Sequence, residues 1–470
     1  MVTRSSTCAS RLSSLSRRTA GASLRRAFAL AFVAGLALTA CAEPPDETQP
    51  NVILVVLDNV RADRLAQCGY ERPTSPFLDH LCARTRSRCT CAAQAPSNWT
   101  LPTHASYFTG VEVPQHGAGK GGQGEGNVQL HPGTHARPLD ARLPTLAEHF
   151  AQAGYQTVSV SGNPLVSPPS GLTRGFQVEH HAPSFGSLYG ANLREKTKAV
   201  LAERDASRPL FLFVNVADAH RPWDGIPETV GWLPPRLNLG FPQDPGEPNP
   251  LRRDFITGAM DSDDEGQLLA HLDDVYDWAV WRADETLGGI LRVLRDGGWI
   301  GGTRPFRLVV TSDHGEHLGE HGLLGHAGPY LFEEITRVPL AIFSSERLAD
   351  FPPEVSAIAT YDLLRDGALR RRPVRSTAFA SDTWPVWYGP GIGNRPAAAI
   401  WQGSEKTVHQ DGRLARFDLA ADPGETMPIE RPTGPASDEA EALIRALESV
   451  ALGEPLDAET LELLRSLGYL

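Results

Sequence analysis

Acidic and imidazole side chains follow three apolar runs of the sequence. Asp58 ends the run NVILVVLD, Asp218 and His220 end PLFLFVNVADAH, and Asp313 and His314 follow FRLVVTS. Apolar runs without alternation are typical of parallel strands that are buried on both faces. Because ligands bind beyond the carboxyl ends of such strands, we expect these side chains to gather at one edge of a sheet.

The residue types at these positions predict a metal site. Asp58, Asp313 and His314 offer two carboxylate oxygens and one imidazole nitrogen, and the hydroxyl of Thr100 in TLPTHAS can add a fourth ligand. This set predicts one divalent cation and favours zinc or manganese over calcium, which prefers oxygen ligands alone. A second ion is an open alternative, held by three further side chains: Asp218, His220 and His326.

Thr100 is also the candidate nucleophile. A threonine hydroxyl reacts poorly at neutral pH, but coordination to a cation lowers its pKa. Pro102 favours a helix start directly after Thr100, and the free N–H groups of a helix N-terminus favour an anion. The alternative is that Thr100 only caps this helix.

Three histidines are candidates for contact with the substrate. His220 and His326 can donate a proton to a leaving group or bind an anionic substrate. His104 lies one helical turn beyond Thr100 and can face the same anion. A single histidine is more often an ordinary hydrogen-bonded residue, so the joint occurrence at several strand ends carries the prediction.

The order of the segments predicts an α/β fold. Over residues 51–345, strand-like and helix-like segments alternate, which favours a large, mostly parallel sheet sandwiched by helices. Over residues 346–470, short strands and helices predict a small antiparallel α+β subdomain. The Pro-rich segment 224–262 is too long for a simple turn, and we interpret it as a lid or substrate wall, with a disordered segment as the alternative.

The first 40 residues predict export. Six arginines precede the apolar run AFALAFVAGLALTA, which is followed by Cys41 in LTAC. This order indicates a bacterial lipoprotein signal peptide over 1–40, lipidation at Cys41 and a polar tether over 41–50. We therefore expect a chain that is lipid-anchored in the cell envelope, in the periplasm or at the outer membrane. An ordinary signal sequence with an incidental cysteine is the alternative.

Charge and cysteine content agree with this location. The net charge is −12, and removal of the six arginines of the signal peptide leaves −18. Such an acidic chain is a poor partner for nucleic acid. Four cysteines, Cys68, Cys82, Cys89 and Cys91, allow three pairings as two disulfides. We expect at least one disulfide, since CTC lacks the spacing of a zinc site; buried free thiols are the alternative.

Several segments resemble the sulfatase family, within the alkaline phosphatase superfamily. NVILVVLDNVRADRLAQCGYERPTSPFLD resembles the family's opening strand, and VVTSDHGEHLGEHGLLGHAGPYLFEEITRVPL resembles its metal segment. TLPTHASYFTG lies where the family has its Cys- or Ser-x-Pro-Ser-Arg motif. FLFVNVADAHRPW resembles the strand that ends in a catalytic histidine, and RLARFDLAADPGE and LRSLGYL resemble the C-terminal subdomain. The motifs occur in the family's order from about residue 51 to the end.

The resemblance implies a role for each matching position. Metal ligands would be Asp58, Asp313 and His314, with Thr100 at the nucleophile position and His220 as the catalytic histidine. His326 falls where many sulfatases have a lysine that contacts the sulfate. His104 falls on the arginine of the motif.

Three departures from the family concern the chemistry itself. Sulfatases oxidise the motif Cys or Ser to formylglycine, and Thr100 cannot give that aldehyde because its β-carbon carries a methyl group. Asn59 replaces a second Asp that many sulfatases use for calcium. His104 and His326 replace the Arg and the Lys of the sulfate pocket. These changes resemble the threonine-nucleophile branch of the superfamily, which includes phosphodiesterases and phosphoethanolamine transferases.

Three functions are therefore compatible with the sequence. The first is a metal-dependent hydrolase of sulfate or phosphate esters, in which Thr100 favours phosphate. The second is a transferase that moves a phospho-group onto an envelope glycan or lipid. The third is a catalytically inactive binding lipoprotein, which the retained ligands Asp58, Asp313 and His314 disfavour. The expected partners are an ester substrate and, through the lipid, a membrane.

Overall fold

The computed structural model describes residues 48–120, 127–131, 134–223, 230–233, 254–326, 328–380 and 394–452. The expected signal peptide, Cys41, most of the tether, most of the segment 224–262 and the C-terminal LRSLGYL lie outside these ranges. The chain from Glu47 to Leu470 forms one compact unit. In the described ranges, no helix has both the length and the apolar character that crossing a membrane requires.

The strands and helices follow each other along the whole described chain. The strands are β1 (Asn51–Leu57), β2 (Ser87–Gln94), β3 (Gly119–Lys120), β4 (Val128–His131), β5 (Thr134–Arg137), β6 (Gln156–Ser161), β7 (Val178–His181), β8 (Leu210–Val216), β9 (Phe306–Ser312), β10 (His317–Leu318), β11 (Leu324–Gly325), β12 (Arg337–Ser344), β13 (Val355–Ser356), β14 (Val374–Ala378), β15 (Ala397–Gln402), β16 (Glu405–Gln410), β17 (Arg413–Asp418) and β18 (Ile429–Glu430). The helices are α1 (Pro76–Cys82), α2 (Thr100–Thr109), α3 (Val113–His116), α4 (Leu146–Gln152), α5 (Gly190–Ala202), α6 (Ser262–Asp296), α7 (Glu333–Thr336), α8 (Ala359–Asp366) and α9 (Pro435–Leu452).

A central sheet confirms the predicted architecture. Within the described ranges it has eight strands in the order β13–β2–β12–β9–β1–β8–β6–β7. Its described pairings are parallel except the two that β12 makes with β2 and β9. A mostly parallel sheet needs helices on both faces to bury its side chains.

The alternation of side chains along β1 assigns the helices to the two faces. Val52, Leu54 and Val56 pack in a cluster with α2, α4 and α8. Ile53, Val55 and Leu57 point the other way and pack in a cluster with α1, α5 and α6. Both sets are buried, which explains why the sequence shows an apolar run instead of alternation.

A smaller antiparallel sheet follows, as the sequence predicts. It has the order β14–β15–β16–β17–β18, and α9 packs against β15 and β16. The expected boundary at residue 346 lies too early, because β13 pairs in parallel with β2 of the central sheet. A strand of two residues leaves no periodic pattern in a sequence, so this one was not predicted. The small sheet begins at Val374.

Two disulfides join the segment around β2. Cys68 pairs with Cys91, and Cys82 at the end of α1 pairs with Cys89. The sequence segment SRCTCAAQ reads as polar, and β2 was therefore not predicted as a strand. Its place between β12 and β13 is secured by these bonds as well as by its ladder.

We expect the two disulfides to stabilise the fold unequally. The bond Cys68–Cys91 spans 23 residues and Cys82–Cys89 spans 7. Since a longer loop loses more entropy on closure, replacing Cys68 and Cys91 with Ala should lower the free energy of unfolding by roughly 3 kcal/mol. Replacing Cys82 and Cys89 is the matched control and should cost about 1 kcal/mol less. Urea denaturation measures both values, and a larger cost for the short loop would contradict the expectation.

Candidate active site

The carboxyl ends of β1, β8 and β9 bring the predicted residues together. β1 lies between the other two, and Leu57 pairs with Val216 on one side and with Ser312 on the other. Asp58 and Asp313 are therefore the next residues of two adjacent strands in register. The hydroxyl of Tyr107 in α2 donates to the carbonyl of Ser312 at 2.8 Å and fixes the helix against this edge.

Three of the predicted metal ligands form one buried cluster. Each of Asp58, Asp313 and His314 offers a ligand atom, and these atoms lie within 4.8 Å of one another. Asp58 Oδ1, Asp313 Oδ2 and His314 Nε2 have no hydrogen-bond partner among the described residues. The His314 ring donates from Nδ1 to the Gly315 carbonyl at 3.0 Å, which leaves Nε2 with a free lone pair. Unpartnered, buried lone pairs that converge on one point fit a divalent cation.

The charges of the two carboxylates support the same fit. Burial raises the pKa of Asp313, and the negative charge of Asp58 raises it further. The pKa of Asp58 is lowered, because His220, His314 and two amide donors outweigh its burial. Two buried carboxylates this close cannot both ionise easily unless a positive charge lies between them. A divalent cation at this point would supply that charge.

Two asparagines that the sequence analysis missed orient these groups. Asn215 in β8 and Asn163 just beyond β6 both donate to Asp58 Oδ2 at 2.8 Å. Asn163 Nδ2 also donates to the hydroxyl of Thr100 at 3.1 Å, and its own Oδ1 accepts from the Leu165 amide. The amide of Asn163 therefore joins the candidate nucleophile to a candidate metal ligand. A buried asparagine inside FLFVNV was the signal in the sequence for Asn215.

Thr100 lies at the start of α2 and is 1% exposed. The residue in the capping position is Trp99, which makes no side-chain cap, so the interpretation of Thr100 as the helix cap does not describe this structure. Pro102 occupies the third helical position rather than the first. Asn98 lies just before this start and donates to the carbonyl oxygens of His326 and Gly328, which links the two sides of the site.

His220 and His326 lie on the same side of the candidate site. Their ring centroids are 5.3 Å apart, and the His326 ring is 4.3 Å from that of His314. His220 donates from Nδ1 to the Arg221 carbonyl at 2.6 Å, and its ring stacks on Phe185 at 4.1 Å. The Nε2 atom of His220 is therefore the one available to a substrate.

Glu316, which the sequence analysis also missed, fixes the orientation of His326. Its Oε2 accepts from His326 Nδ1 at 3.0 Å and from Asn59 Nδ2 at 2.7 Å. Burial opposes ionisation of Glu316, but Arg221 and His326 outweigh it and hold its pKa well below the usual range. Burial lowers the pKa of His326 to about 3, so this ring is neutral at pH 7.

Two other predicted residues lie behind the cluster. His104 is fully buried, donates from Nδ1 to the Thr100 carbonyl at 2.8 Å, and lies 3.7 Å from Asp313 Oδ2. Its ring packs against aromatic side chains, including Phe213 at 5.7 Å. Asp218 contacts Arg282 and the hydroxyl of Thr286, both at 3.2 Å, and these contacts occupy one of its oxygens.

Comparison with known proteins identifies the family of this chain and confirms its fold. The sulfatase family model matches residues 50–362. An arylsulfatase of Clostridium perfringens is 22% identical over an alignment of 365 positions, which covers 64% of this chain and 69% of that protein. The phosphonate monoester hydrolase of Agrobacterium radiobacter has a TM-score of 0.56 and 20% identity, with 89% of this chain and 96% of that chain covered.

A second solved structure also has this fold. It contains its substrate D-glucosamine-2-N,6-O-disulfate and has a TM-score of 0.58 and 16% identity, with 87% of this chain and all of that chain covered. At such identities the solved structures establish the fold alone. The family model covers more than half of the chain, so the protein belongs to the sulfatase family and is an ester hydrolase.

We expect the amide of Asn163 to be required at this site. Asn163→Ala removes the donors to Asp58 and Thr100, and the loss of such a partner should lower metal affinity or turnover by about 10- to 100-fold. Metal content by mass spectrometry and ester turnover measure the two effects. The matched control is Asn192→Ala on the exposed face of α5, which should change neither. Wild-type metal content and turnover in Asn163→Ala would contradict the assignment.

Proposed function

We propose that this protein is a metal-dependent hydrolase of phosphate esters, with Thr100 as the nucleophile and His220 as the general acid. The observation that carries the proposal is the position of the Thr100 hydroxyl. It is buried beside the Asp58–Asp313–His314 cluster and shares the amide of Asn163 with Asp58. A threonine that only stabilised a helix would need none of these contacts.

The residues present fit a transfer in two steps. Asp58, Asp313 and His314, with Thr100, would hold one divalent cation, of which zinc or manganese suits the imidazole best. When bound, the cation lowers the pKa of the threonine hydroxyl and attracts electron density from the phosphorus. Thr100 Oγ1 loses its proton to solvent and forms a bond to phosphorus while the bond from phosphorus to the leaving oxygen breaks. Water then cleaves the phosphothreonine and restores Thr100.

His220 is placed to protonate the leaving oxygen. Its Nδ1 hydrogen is fixed by the Arg221 carbonyl, so a second proton on Nε2 makes the ring a cation that can donate. His326 lies next to His220 and keeps its own Nε2 free, because Glu316 holds its Nδ1. We infer that His326 contacts the substrate anion or the attacking water. His104 fixes the backbone of Thr100 by a hydrogen bond to its carbonyl oxygen.

Phosphate is favoured over sulfate because of Thr100. Family members that cleave sulfate esters use formylglycine, which a threonine cannot form, whereas a threonine alkoxide is sufficient for phosphoryl transfer. The relatives include both an arylsulfatase and a phosphonate monoester hydrolase, so both ester classes belong in the test. Transfer of a phospho-group to an envelope glycan or lipid would use the same first step, with an acceptor hydroxyl in place of water.

Replacement of Thr100 tests the chemistry. Thr100→Ala should lower the turnover of a nitrophenyl phosphate ester by more than about 10³-fold, since a covalent nucleophile is lost. Thr100→Ser is the matched variant and should retain much of the activity, because it keeps the hydroxyl. A nitrophenyl sulfate is assayed in parallel, with and without a chelator. Sulfate turnover that survives in Thr100→Ala would show that the nucleophile is wrong.

We further propose that the mature chain is exported and lipid-anchored at Cys41. The two disulfides are the pattern expected for an oxidising compartment. Cys41→Ala should move the protein from the membrane fraction to the soluble fraction or leave its signal peptide uncleaved. Mass spectrometry should detect acyl chains on wild-type Cys41 alone. An unmodified Cys41 in a mature, membrane-free chain would contradict the anchor.

A further inference from the structure

A cavity lies at the opposite edge of the central sheet from the active site. It has a volume of about 420 Å³ and is lined by residues of α1, α6 and β12. Leu81, Leu291, Ile300 and Phe343 form its apolar surface. α1 and α6 approach closely here, since a side chain on Gly288 would place its Cβ 2.5 Å from the Phe77 ring. The cavity is therefore formed by packed secondary structure and not by a loose loop.

Three arginines surround this apolar surface: Arg84, Arg292 and Arg295. The Arg84 guanidinium lies over the Phe343 ring at 5.6 Å, and that of Arg292 lies over the Phe77 ring at 5.2 Å. Among the described residues, neither of these two has a carboxylate partner. Aromatic rings fix the cations without neutralising them. Arg295 lies 3.3 Å from Asp296. The site therefore combines two arginines that have no carboxylate partner among the described residues with an apolar floor.

The chain enters the folded body at this same edge. β1 begins at Asn51, whose side chain donates to the carbonyl of Trp299 at 3.0 Å, and the next residue, Ile300, lines the cavity. Arg304 donates to the carbonyl of Gln49 at 3.0 Å. Cys41 is ten residues before Asn51, so it can lie at most about 35 Å from this edge.

We propose that this cavity binds the headgroup of an anionic phospholipid, and that the edge around it rests on the membrane that holds the lipid anchor. The arginines pair with the phosphodiester, and the apolar floor receives the glycerol and the first carbons of the acyl chains. Basic side chains near an anionic membrane surface attract it in this way. The assignment rests on the proposed anchoring at Cys41, because that anchor would keep this edge of the protein near a membrane surface.

This contact would orient the active site. β1 has seven residues and spans about 23 Å from the membrane-facing edge to Asp58. The candidate site then opens away from the membrane surface that holds the anchor. A substrate would reach it from the aqueous side, as a soluble or glycan-linked ester, and a lipid of the same leaflet could not reach the site without release of the body.

Vesicle sedimentation with protein that starts at residue 42 tests the contact without the lipid at Cys41. Binding to vesicles that contain phosphatidylglycerol should exceed binding to pure phosphatidylcholine vesicles and should weaken in high salt. The double variant Arg84→Gln/Arg292→Gln should bind the anionic vesicles about 30-fold more weakly, from the loss of two basic contacts. Arg142→Gln is the matched control, because Arg142 is 90% exposed and precedes α4 at the other edge.

Thermal unfolding verifies that each variant is folded. Arg295→Gln, at the exposed end of α6, is a second variant, and its binding to anionic vesicles should weaken about fivefold. Equal binding to both kinds of vesicle, or an equal loss in Arg142→Gln, would overturn the proposal. If soluble glycerol phosphate displaces the protein from the anionic vesicles as effectively as lipid does, the cavity binds a free phosphate ester instead. Ester turnover and acylation of Cys41 are measured separately. A negative result for the proposed function can therefore be distinguished from a negative result for this membrane contact.

Discussion

The repulsion between two buried carboxylates is the constraint on which this site depends. Parallel pairing of β1 with β9 places Asp58 and Asp313 side by side, with neither exposed to water. The side-chain amides of Asn163 and Asn215 donate hydrogen bonds to Asp58 and stabilise part of its charge. The backbone N–H groups of Asn59 and His314 donate to Asp313. These donors leave one oxygen of each carboxylate without a partner. A divalent cation would balance the remaining charge, and under the proposed function it would also activate Thr100.

The departures from the family form one coupled network. Asn59 and His326 both donate to the same oxygen of Glu316, at 2.7 and 3.0 Å. An aspartate in place of Asn59 would put a second negative charge against Glu316, whereas the amide of asparagine donates to it. Asn59 and His326 are therefore compatible with each other through the same carboxylate. This network supports the proposed hydrolase over the alternative of an inactive binding protein.

The sequence predicted those features that leave a strong local pattern. The apolar runs before Asp58 and Asp313 are buried strands, and such runs predict the central sheet; the small C-terminal sheet is predicted from short strand-like segments with turns between them. The sequence does not predict β2, because this strand is polar and is held by disulfides, and it does not predict β13, because that strand has only two residues. Asn163 and Glu316 are not predicted for another reason. Their roles come from partners far away in the chain, such as Thr100 for Asn163 and Asn59 for Glu316, and only the folded sheet brings them together.

The two edges of the central sheet have opposite characters, and this bears on the choice between hydrolysis and transfer. Asp58, Asp313 and His314 lie at the carboxyl edge. The opposite edge, near the start of β1, carries Arg84 and Arg292, which have no carboxylate partner among the described residues. A strand of seven residues separates the two edges. If the basic edge rests on the membrane, the acceptor in the second step must come from the aqueous side. Water is always present there, a glycan hydroxyl can reach it, and a lipid in the same leaflet cannot. The proposed membrane contact would therefore favour hydrolysis and, among acceptors for transfer, a glycan over a lipid.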